Sequence, residues 1–332
     1  MSNFVKINNK INRFNKRLSI DGDKSLSIRW ALLSSQSLRK SKASNLLLSE
    51  DVVSTLNCLK KLGVKIKISK NICEIIGLGL NGFKYKNNLI LNAGNSATLG
   101  RLILGLLIHT KNRIQLKGDK SLSKRDFLRV IKPLRKFGAK FNSNHGKLPI
   151  RIQGTNYSKP IKYVENKGSA QCKSAVMFAA LNTLGETIIK AKKSRDHSEL
   201  LFKHLKLPIK IKKGNKYDVI KVKGKYDVPA LNYKIPSDIS SAAFFIVLTV
   251  LTKNSRLKIK NVNINPSRMG IFYILKLMGI KISKLNIKNY KGEKIADLII
   301  EGTNKIKPIN CPIKFNSSAI DEFLLIFLVA AK

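Results

Sequence analysis

Several short segments combine small residues, a hydroxyl or amide and a cation at spacings that a helix start would gather. The first is Gly22-Asp-Lys-Ser-Leu-Ser-Ile-Arg29, where Lys24 leads and Ser25 and Arg29, four apart, share one helix face. Unpaired N–H groups at a helix start, together with Lys and Arg, make a site for an anion. A serine cap with two solvated cations accounts for the same residues. The second segment is Asn92-Ala-Gly-Asn-Ser-Ala-Thr-Leu-Gly-Arg101, with Asn95, Ser96, Ala97 and Thr98 at its centre. Small residues there let a ligand approach the backbone, and in isolation they also suit a tight turn. Gly118-Asp-Lys-Ser-Leu-Ser-Lys-Arg125 repeats the first phrase and is expected to open an amphipathic helix. Further polar starts are Ser169-Ala-Gln-Cys-Lys173, with Ala170 and Gln171, Ser194-Arg-Asp-His197, with Arg195, and the pair Ser240 and Ser241; each also reads as a cap. Ile320-Asp-Glu-Phe323 differs, because Asp321 and Glu322 interrupt an apolar run. Carboxylates there are costly unless paired or used, which favours a functional role. The chemistry offered is anion binding with general acid and base groups.

Other chemistries are not signalled. Gly77-Leu-Gly-Leu-Asn-Gly82 matches G-x-G-x-x-G, but no amphipathic helix follows, so nicotinamide binding is rejected and a hairpin turn is expected. No Walker A, G-x-S-x-G or H-E-x-x-H motif is present, and neither a cofactor nor a metal is called for. Cys58, Cys73, Cys172 and Cys311 form no C-x-x-C pair and read as reduced thiols of a cytoplasmic protein.

The elements that position these segments repeat. A helix-like run, then Gly and an alternating Lys/apolar strand, occurs at residues 58–66, 133–141 and 275–282, with a weaker copy at 204–211 that has Pro208 at the Gly position. Gly63, Gly138, Pro208 and Gly279 are spaced 75, 70 and 71 residues apart. Gly after a helix is a C-cap signal, and the alternation reads as a half-buried strand. Between these copies lie helices apolar nearly all round: Ser25–Ser35, Asn95–Ile108, Ser169–Leu181, Asp238–Leu251 and Ser318–Ala331. Apolar on every side predicts burial in a core. The unit is therefore about 70 residues of βαβαββ type. Five apolar helices against four amphipathic ones leave the last unit unfinished. On this spacing the chain is expected to be a C-terminally truncated form, with about 110 residues missing from a six-unit design.

The chain carries 64 Lys+Arg against 19 Asp+Glu, a net charge of +45, but only 13 of the 64 are Arg and the Lys are spread throughout. Lys, Ile and Asn share AT-rich codons, which explains much of the basicity without a partner. Nucleic-acid binding is the weak reading, since no Arg-rich or aromatic-interleaved patch exists; attraction of small anionic substrates fits equally well. The runs Ile239–Leu251 and Phe323–Ala331 are too short to span a bilayer, so no membrane association is expected. Met1–Leu18 is basic and acid-free, as transit peptides are, and has no apolar secretory region.

The ordered motifs G-D-K-S-x-S-x-R, N-A-G-N-S-A-T-x-x-R, G-D-x-S-L-x-K-R, S-A-Q-x-K-S-A, S-R-D-H-S-E, S-D-I-S-S-A-A-F-F, N-P-S-R-x-G and I-D-E run from Leu18 to Ala331. Together they resemble the 3-phosphoshikimate 1-carboxyvinyltransferase (EPSP synthase) family, and most of all its bacterial class that includes glyphosate-tolerant enzymes. The resemblance implies an α/β fold, the inside-out barrel of enolpyruvyl transferases, with two domains of three βαβαββ units and the active site in their cleft. One domain is expected over 20–234; the other, over 1–19 and 235–332, lacks its last one and a half units. The implied reaction moves the enolpyruvyl group of phosphoenolpyruvate to the 5-hydroxyl of shikimate 3-phosphate, releasing phosphate through a tetrahedral intermediate. The partners implied are those two anionic substrates, and the implied state is a monomer.

Carried over by resemblance, Lys24 contacts phosphoenolpyruvate and shikimate 3-phosphate and assists proton transfer. Ser25 and Arg29 bind the shikimate carboxylate end. Asn95, Ser96, Ala97 and Thr98 line the phosphoenolpyruvate pocket, Arg125 meets its phosphate, and Gln171 serves both substrates. Ser169, Ala170, Gln171 and Arg195 hold shikimate 3-phosphate. Asp321 takes or orients the 5-hydroxyl proton, with Glu322 in support. Two departures stand out. Asp126 replaces the usual Pro after K-R, and the later R-x-K-E-S-D-R and D-H-R segments do not occur in these 332 residues. Without the latter, weak phosphoenolpyruvate binding and little turnover are expected. Ala97, where sensitive members carry Gly, implies glyphosate tolerance. A split or non-catalytic fragment is the alternative. UDP-N-acetylglucosamine enolpyruvyl transferase is a weaker one, because Cys58, Cys73 and Cys172 lie in helix or strand patterns rather than in a Gly-rich loop.

Overall fold

The protein's structure is a computed structural model, and residues 10–332 are described. The first nine residues of the basic stretch Met1–Leu18, and so that part of the transit-like reading, lie outside the described residues. The chain forms two compact units. One holds the chain up to Ile20, Ser237–Asn289 and Lys294–Lys332; the other holds Asp21–Pro236 and the short piece Tyr290–Glu293.

Among the described residues the first element is β1 (Asn15–Leu18), in the smaller unit. The larger unit then opens with α1 (Lys24–Ser34), β2 (Lys40–Ser44), α2 (Glu50–Lys61), β3 (Lys65–Ser69) and β4 (Ile72–Ile76). It continues with β5 (Leu89–Asn92), α3 (Ala97–Leu106), β6 (Ile114–Lys117), α4 (Lys120–Ser123), α5 (Leu128–Lys136), β7 (Lys140–Asn144) and β8 (Lys147–Gln153). Then come β9 (Lys162–Glu165), α6 (Ala170–Leu181), β10 (Glu186–Lys192), α7 (His197–His204), β11 (Ile209–Lys212), β12 (Tyr217–Lys223) and β13 (Tyr233–Lys234). Three four-stranded sheets result, in the orders β13-β2-β4-β3, β5-β6-β8-β7 and β9-β10-β12-β11. Each has one parallel pair and two antiparallel ones; β5–β6 and β9–β10 are joined through a helix as βαβ units, whereas β13 returns from the end of the unit to lie parallel to β2.

The smaller unit repeats the pattern with α8 (Ile239–Leu251), β14 (Arg256–Asn263), α9 (Gly270–Leu277), β15 (Ile282–Tyr290) and β16 (Glu293–Glu301), followed by α10 (Asn316–Ala319) and α11 (Phe323–Ala330). Its sheet order is β1-β14-β16-β15, with β1 parallel to β14.

In the larger unit, α1, α3 and α6 form the interior. Leu26 to Ser34 of α1 are buried without a break, as are Cys172 to Leu181 of α6. Gly105 shows how close α3 and α6 lie: a Cβ there would sit 2.1 Å from the carbonyl oxygen of Ala175. The smaller unit departs from the expected burial. Phe244 and Leu248 of α8 and Leu324, Phe327 and Leu328 of α11 are exposed, Leu324 at 79%. These apolar side chains form an exposed stripe on each helix, although α11 packs against both α8 and α9.

Three local expectations change. Gly77–Gly82 is not a hairpin; it carries the chain from β4 to β5, which belong to different sheets. Gly77 is needed for close approach, since a Cβ would lie 2.3 Å from the carbonyl oxygens of Ser34 and Ser37. The expected helix Ser318–Ala331 is split by a turn at Ile320–Glu322, which leaves Asp321 exposed and Glu322 at the cap of α11. In the weak repeat copy, the left-handed residue after the helix is Lys206 (φ 53°) rather than the position of Pro208, whose ring forbids positive φ.

Candidate active site

The starts of the interior helices are built by side-chain caps. Asp23 accepts from the N–H of Leu26 at 2.9 Å, Ser96 from Leu99 at 3.2 Å and Ser169 from Cys172 at 3.2 Å. Each cap takes one orphan donor and leaves others at the positive end of the helix. Lys24 and Ser25 open α1. The ammonium group of Lys24 lies 3.5 Å from the Asp51 carboxylate and is about half exposed.

Arg29, one turn further, is buried. Its Nε donates to Ser198 Oγ at 2.9 Å, Nη1 to the carbonyl of Ser25 at 3.0 Å and Nη2 to Ser174 Oγ at 3.4 Å. Three of five guanidinium donors are thus engaged, and two remain for an anion. Burial lowers the Arg29 guanidinium to about 10, against the opposing fields of Glu199 and Asp23. It stays cationic at neutral pH.

The starts of α3 and α6 are tied together. Gln171 Nε2 donates to Thr98 Oγ1 at 2.9 Å, and Gln171 Oε1 accepts from Arg101. Arg101 also lies over the Phe127 ring, 5.5 Å from its centroid, and donates to the Asp126 carbonyl at 3.3 Å. Ser96 and Ala97 are buried, Thr98 is half-buried, and Asn95 is exposed with its amide donating to Asp119 at 2.8 Å.

The segment before α6 is anchored by the buried carboxylate of Glu165. It accepts from the N–H groups of Ser169 at 2.8 Å and Lys167 at 3.3 Å and pairs with Arg129 at 3.4 Å. Ala170 and Gln171 follow, both half-buried, as is Arg195 just before α7. Arg125 is exposed between α4 and α5. The expected amphipathic helix after Gly118 is therefore two pieces; Asp126, just before the Phe127 cap of the second, accepts from Leu128 N–H at 2.6 Å.

Asp321 lies in the smaller unit. Its neighbour Glu322 is buried and accepts from Ser240 Oγ. Ser240 and Asp238 in turn accept from Arg268 at 2.6 and 3.1 Å. This network fixes the turn that carries Asp321.

Sequence reasoning missed Arg101, Glu165, Ser174, Ser198 and the buried pair Lys173–Glu199. Arg101 stands three residues after Thr98 on the same helix face, a signal in the spacing. Lys173, Ser174, Ser198 and Glu199 stand within the motifs S-A-Q-x-K-S-A and S-R-D-H-S-E, but their pairing depends on tertiary approach, as does the role of Glu165. Cys58, Cys73 and Cys172 are buried and Cys311 exposed; burial pushes the Cys58 and Cys73 thiols up to about 11. One fast-reacting thiol per native chain is expected with a disulfide reagent at pH 8, and more than one would contradict this packing. Among the described residues no group of side chains could hold a metal ion, and no helix is long and apolar enough to cross a membrane.

Repeated βαβαββ sheets with capped interior helices, Lys24 and Gln171 at their starts and Arg29 one turn in, define an α/β architecture built from one recurring unit. A model of the EPSP synthase (3-phosphoshikimate 1-carboxyvinyltransferase) family matches residues 8–332. A 3-phosphoshikimate 1-carboxyvinyltransferase of Ruthia magnifica subsp. Calyptogena magnifica is 42% identical over 315 residues, covering 95% of this chain and 71% of its own. One from Legionella pneumophila (strain Corby) is 39% identical, with coverage of 95% and 72%. The solved EPSP synthase of Acinetobacter baumannii superposes with a TM-score of 0.86 at 34% identity, covering 96% of this chain and 72% of that one. The chain belongs to the EPSP synthase family, and its fold is that of these enzymes.

Proposed function

We propose that this chain transfers the enolpyruvyl group of phosphoenolpyruvate to the 5-hydroxyl of shikimate 3-phosphate. The observation that supports it most is the gathering, in one unit, of the capped starts of α1, α3 and α6 with Arg29, Arg101 and Gln171 hydrogen-bonded among them. Helix N-termini and cations suit a phosphate and a carboxylate held together. In this reading Ser169, Ala170, Gln171 and Arg195 hold shikimate 3-phosphate, with Lys24, Ser25 and Arg29 at its other end. Asn95 to Thr98, Arg125, Lys24 and Gln171 take phosphoenolpyruvate.

The 5-hydroxyl oxygen attacks C2 of phosphoenolpyruvate, its proton passing to Asp321, while C3 gains a proton. Loss of that methyl proton then expels phosphate and restores the double bond. Lys24 assists proton transfer, because an ammonium beside the reacting carbon can give and regain a proton.

The test is phosphorus NMR with enzyme, shikimate 3-phosphate and phosphoenolpyruvate in equal amounts, so that one turnover is visible. One inorganic phosphate is expected for each phosphoenolpyruvate lost, and only when shikimate 3-phosphate is present. Loss without shikimate 3-phosphate, or transfer to UDP-N-acetylglucosamine instead, contradicts the reading; binding without product marks the non-catalytic alternative. Ala97, buried at the first position of α3, sets a further expectation. Ala97→Gly removes a methyl from the phosphoenolpyruvate pocket and should lower the glyphosate inhibition constant by about tenfold, the scale of one methyl group in a fitted pocket. An unchanged constant would refute glyphosate tolerance through this residue.

A further inference from the structure

The S-R-D-H-S-E segment supplies Arg195 to the proposed site, yet its next residues reach deeper. His197 Nδ1 meets Glu293 Oε1 at 2.6 Å, Ser198 accepts from Arg29 Nε at 2.9 Å, and Glu199 pairs with Lys173 at 2.6 Å. All five of these partner residues other than Glu293 sit on α1, α6 or α7 of the larger unit, and all are buried. Ser198 is the member that touches Arg29 directly. Its hydroxyl is also 2.7 Å from Ser174 Oγ, which accepts weakly from Arg29 Nη2.

A guanidinium is planar, so fixing Nε and one Nη fixes the directions of every remaining donor. Nε points at Ser198 and Nη1 at the Ser25 carbonyl; the two uncommitted N–H groups then have one orientation. A carboxylate meets such a fork with two parallel hydrogen bonds and discriminates sharply against other orientations.

We propose that Ser198 is a positioning residue: through Arg29, the Ser198–Ser174 hydroxyl pair sets the recognition of the shikimate carboxylate. This rests on the reading of Arg29 as the carboxylate ligand. Ser198 touches no substrate itself. Its loss lets the Arg29 plane rotate and weakens binding of the carboxylate while leaving phosphate recognition, built on α6, as it was.

The experiment compares two ligands by calorimetry on the full chain: shikimate 3-phosphate and its carboxylate methyl ester. Ser198→Ala is expected to weaken shikimate 3-phosphate about tenfold, within the range for one hydrogen bond to a charged group, and to leave the ester unchanged. Ser198→Thr, which keeps the hydroxyl, is expected to restore binding to within about twofold. Equal weakening of both ligands would mean a merely structural role and overturn the proposal, as would unchanged binding of shikimate 3-phosphate. If Ser198→Ala does not fold, Ser174→Ala is measured against the same two ligands, with a smaller loss expected for shikimate 3-phosphate only. If the wild-type chain binds neither ligand, the functional reading fails first; if it binds both equally, the assignment of Arg29 fails and the Ser198 proposal with it.

Discussion

Lys173→Met is expected to destabilise the protein by about 3–5 kcal/mol in urea denaturation, the cost of breaking a buried ion pair from one side. Lys173 Nζ and Glu199 Oε1 are 2.6 Å apart, with side chains only 4% and 3% exposed. The other carboxylate oxygen, Oε2, is buried with no hydrogen-bond partner. Removing the ammonium therefore leaves a buried carboxylate without its ion-pair partner, compensated only at longer range by the field of the Arg29 guanidinium. The double variant Lys173→Met, Glu199→Leu replaces the pair with apolar groups and should recover most of the loss, since desolvation of both charges is then avoided. If the double variant is as unstable as the single one, the pair is not the cause.

Arg29→Met should weaken shikimate 3-phosphate binding by about a hundredfold, near 3 kcal/mol, the upper range for a charged hydrogen-bonding partner. Met fills much of the same volume, so the core around α1 stays packed. The loss is specific because the remaining groups cannot replace a planar donor pair aimed from the interior. A change below about threefold would show that Arg29 is purely structural. The effect should not add to that of Ser198→Ala, because both act on one hydrogen-bonded group.

Much of the scaffold was legible because it repeats with local signals. Ser169 caps the helix it was read to open, whereas α1 is capped by Asp23 rather than by a serine and α3 by Ser96, one residue past the expected start. Gly63, Gly138 and Gly279 take φ of 90°, 108° and 83° just past their helices, a conformation glycine adopts without strain. The Lys/apolar alternation that follows them becomes β3, β7 and β15. What stayed hidden was short or distant. β13 is two residues long, too few to show a period. The break between α10 and α11 lies inside an apolar run where Asp321 and Glu322 were visible but the turn was not.

The site divides in the same way. Lys24, Ser25 and Gln171 stand at motif positions any reader can find. The partners that hold Arg29 come from 145 and 169 residues away. No spacing rule reaches that far, and the alternative of Arg29 as a solvated cation beside a serine cap does not hold, because Arg29 is buried. The exposed apolar stripes on α8 and α11 were missed for a related reason, since hydropathy tells which side chains want cover and not which ones receive it.

The most direct measurement is calorimetric titration of the chain with shikimate 3-phosphate, with shikimate and inorganic phosphate as controls. One molecule of shikimate 3-phosphate per chain is predicted to bind at least tenfold more tightly than either control, because phosphate and carboxylate are both recognised, and Ser169→Ala should weaken it. Equal affinity for inorganic phosphate, or no binding of shikimate 3-phosphate, would contradict the account.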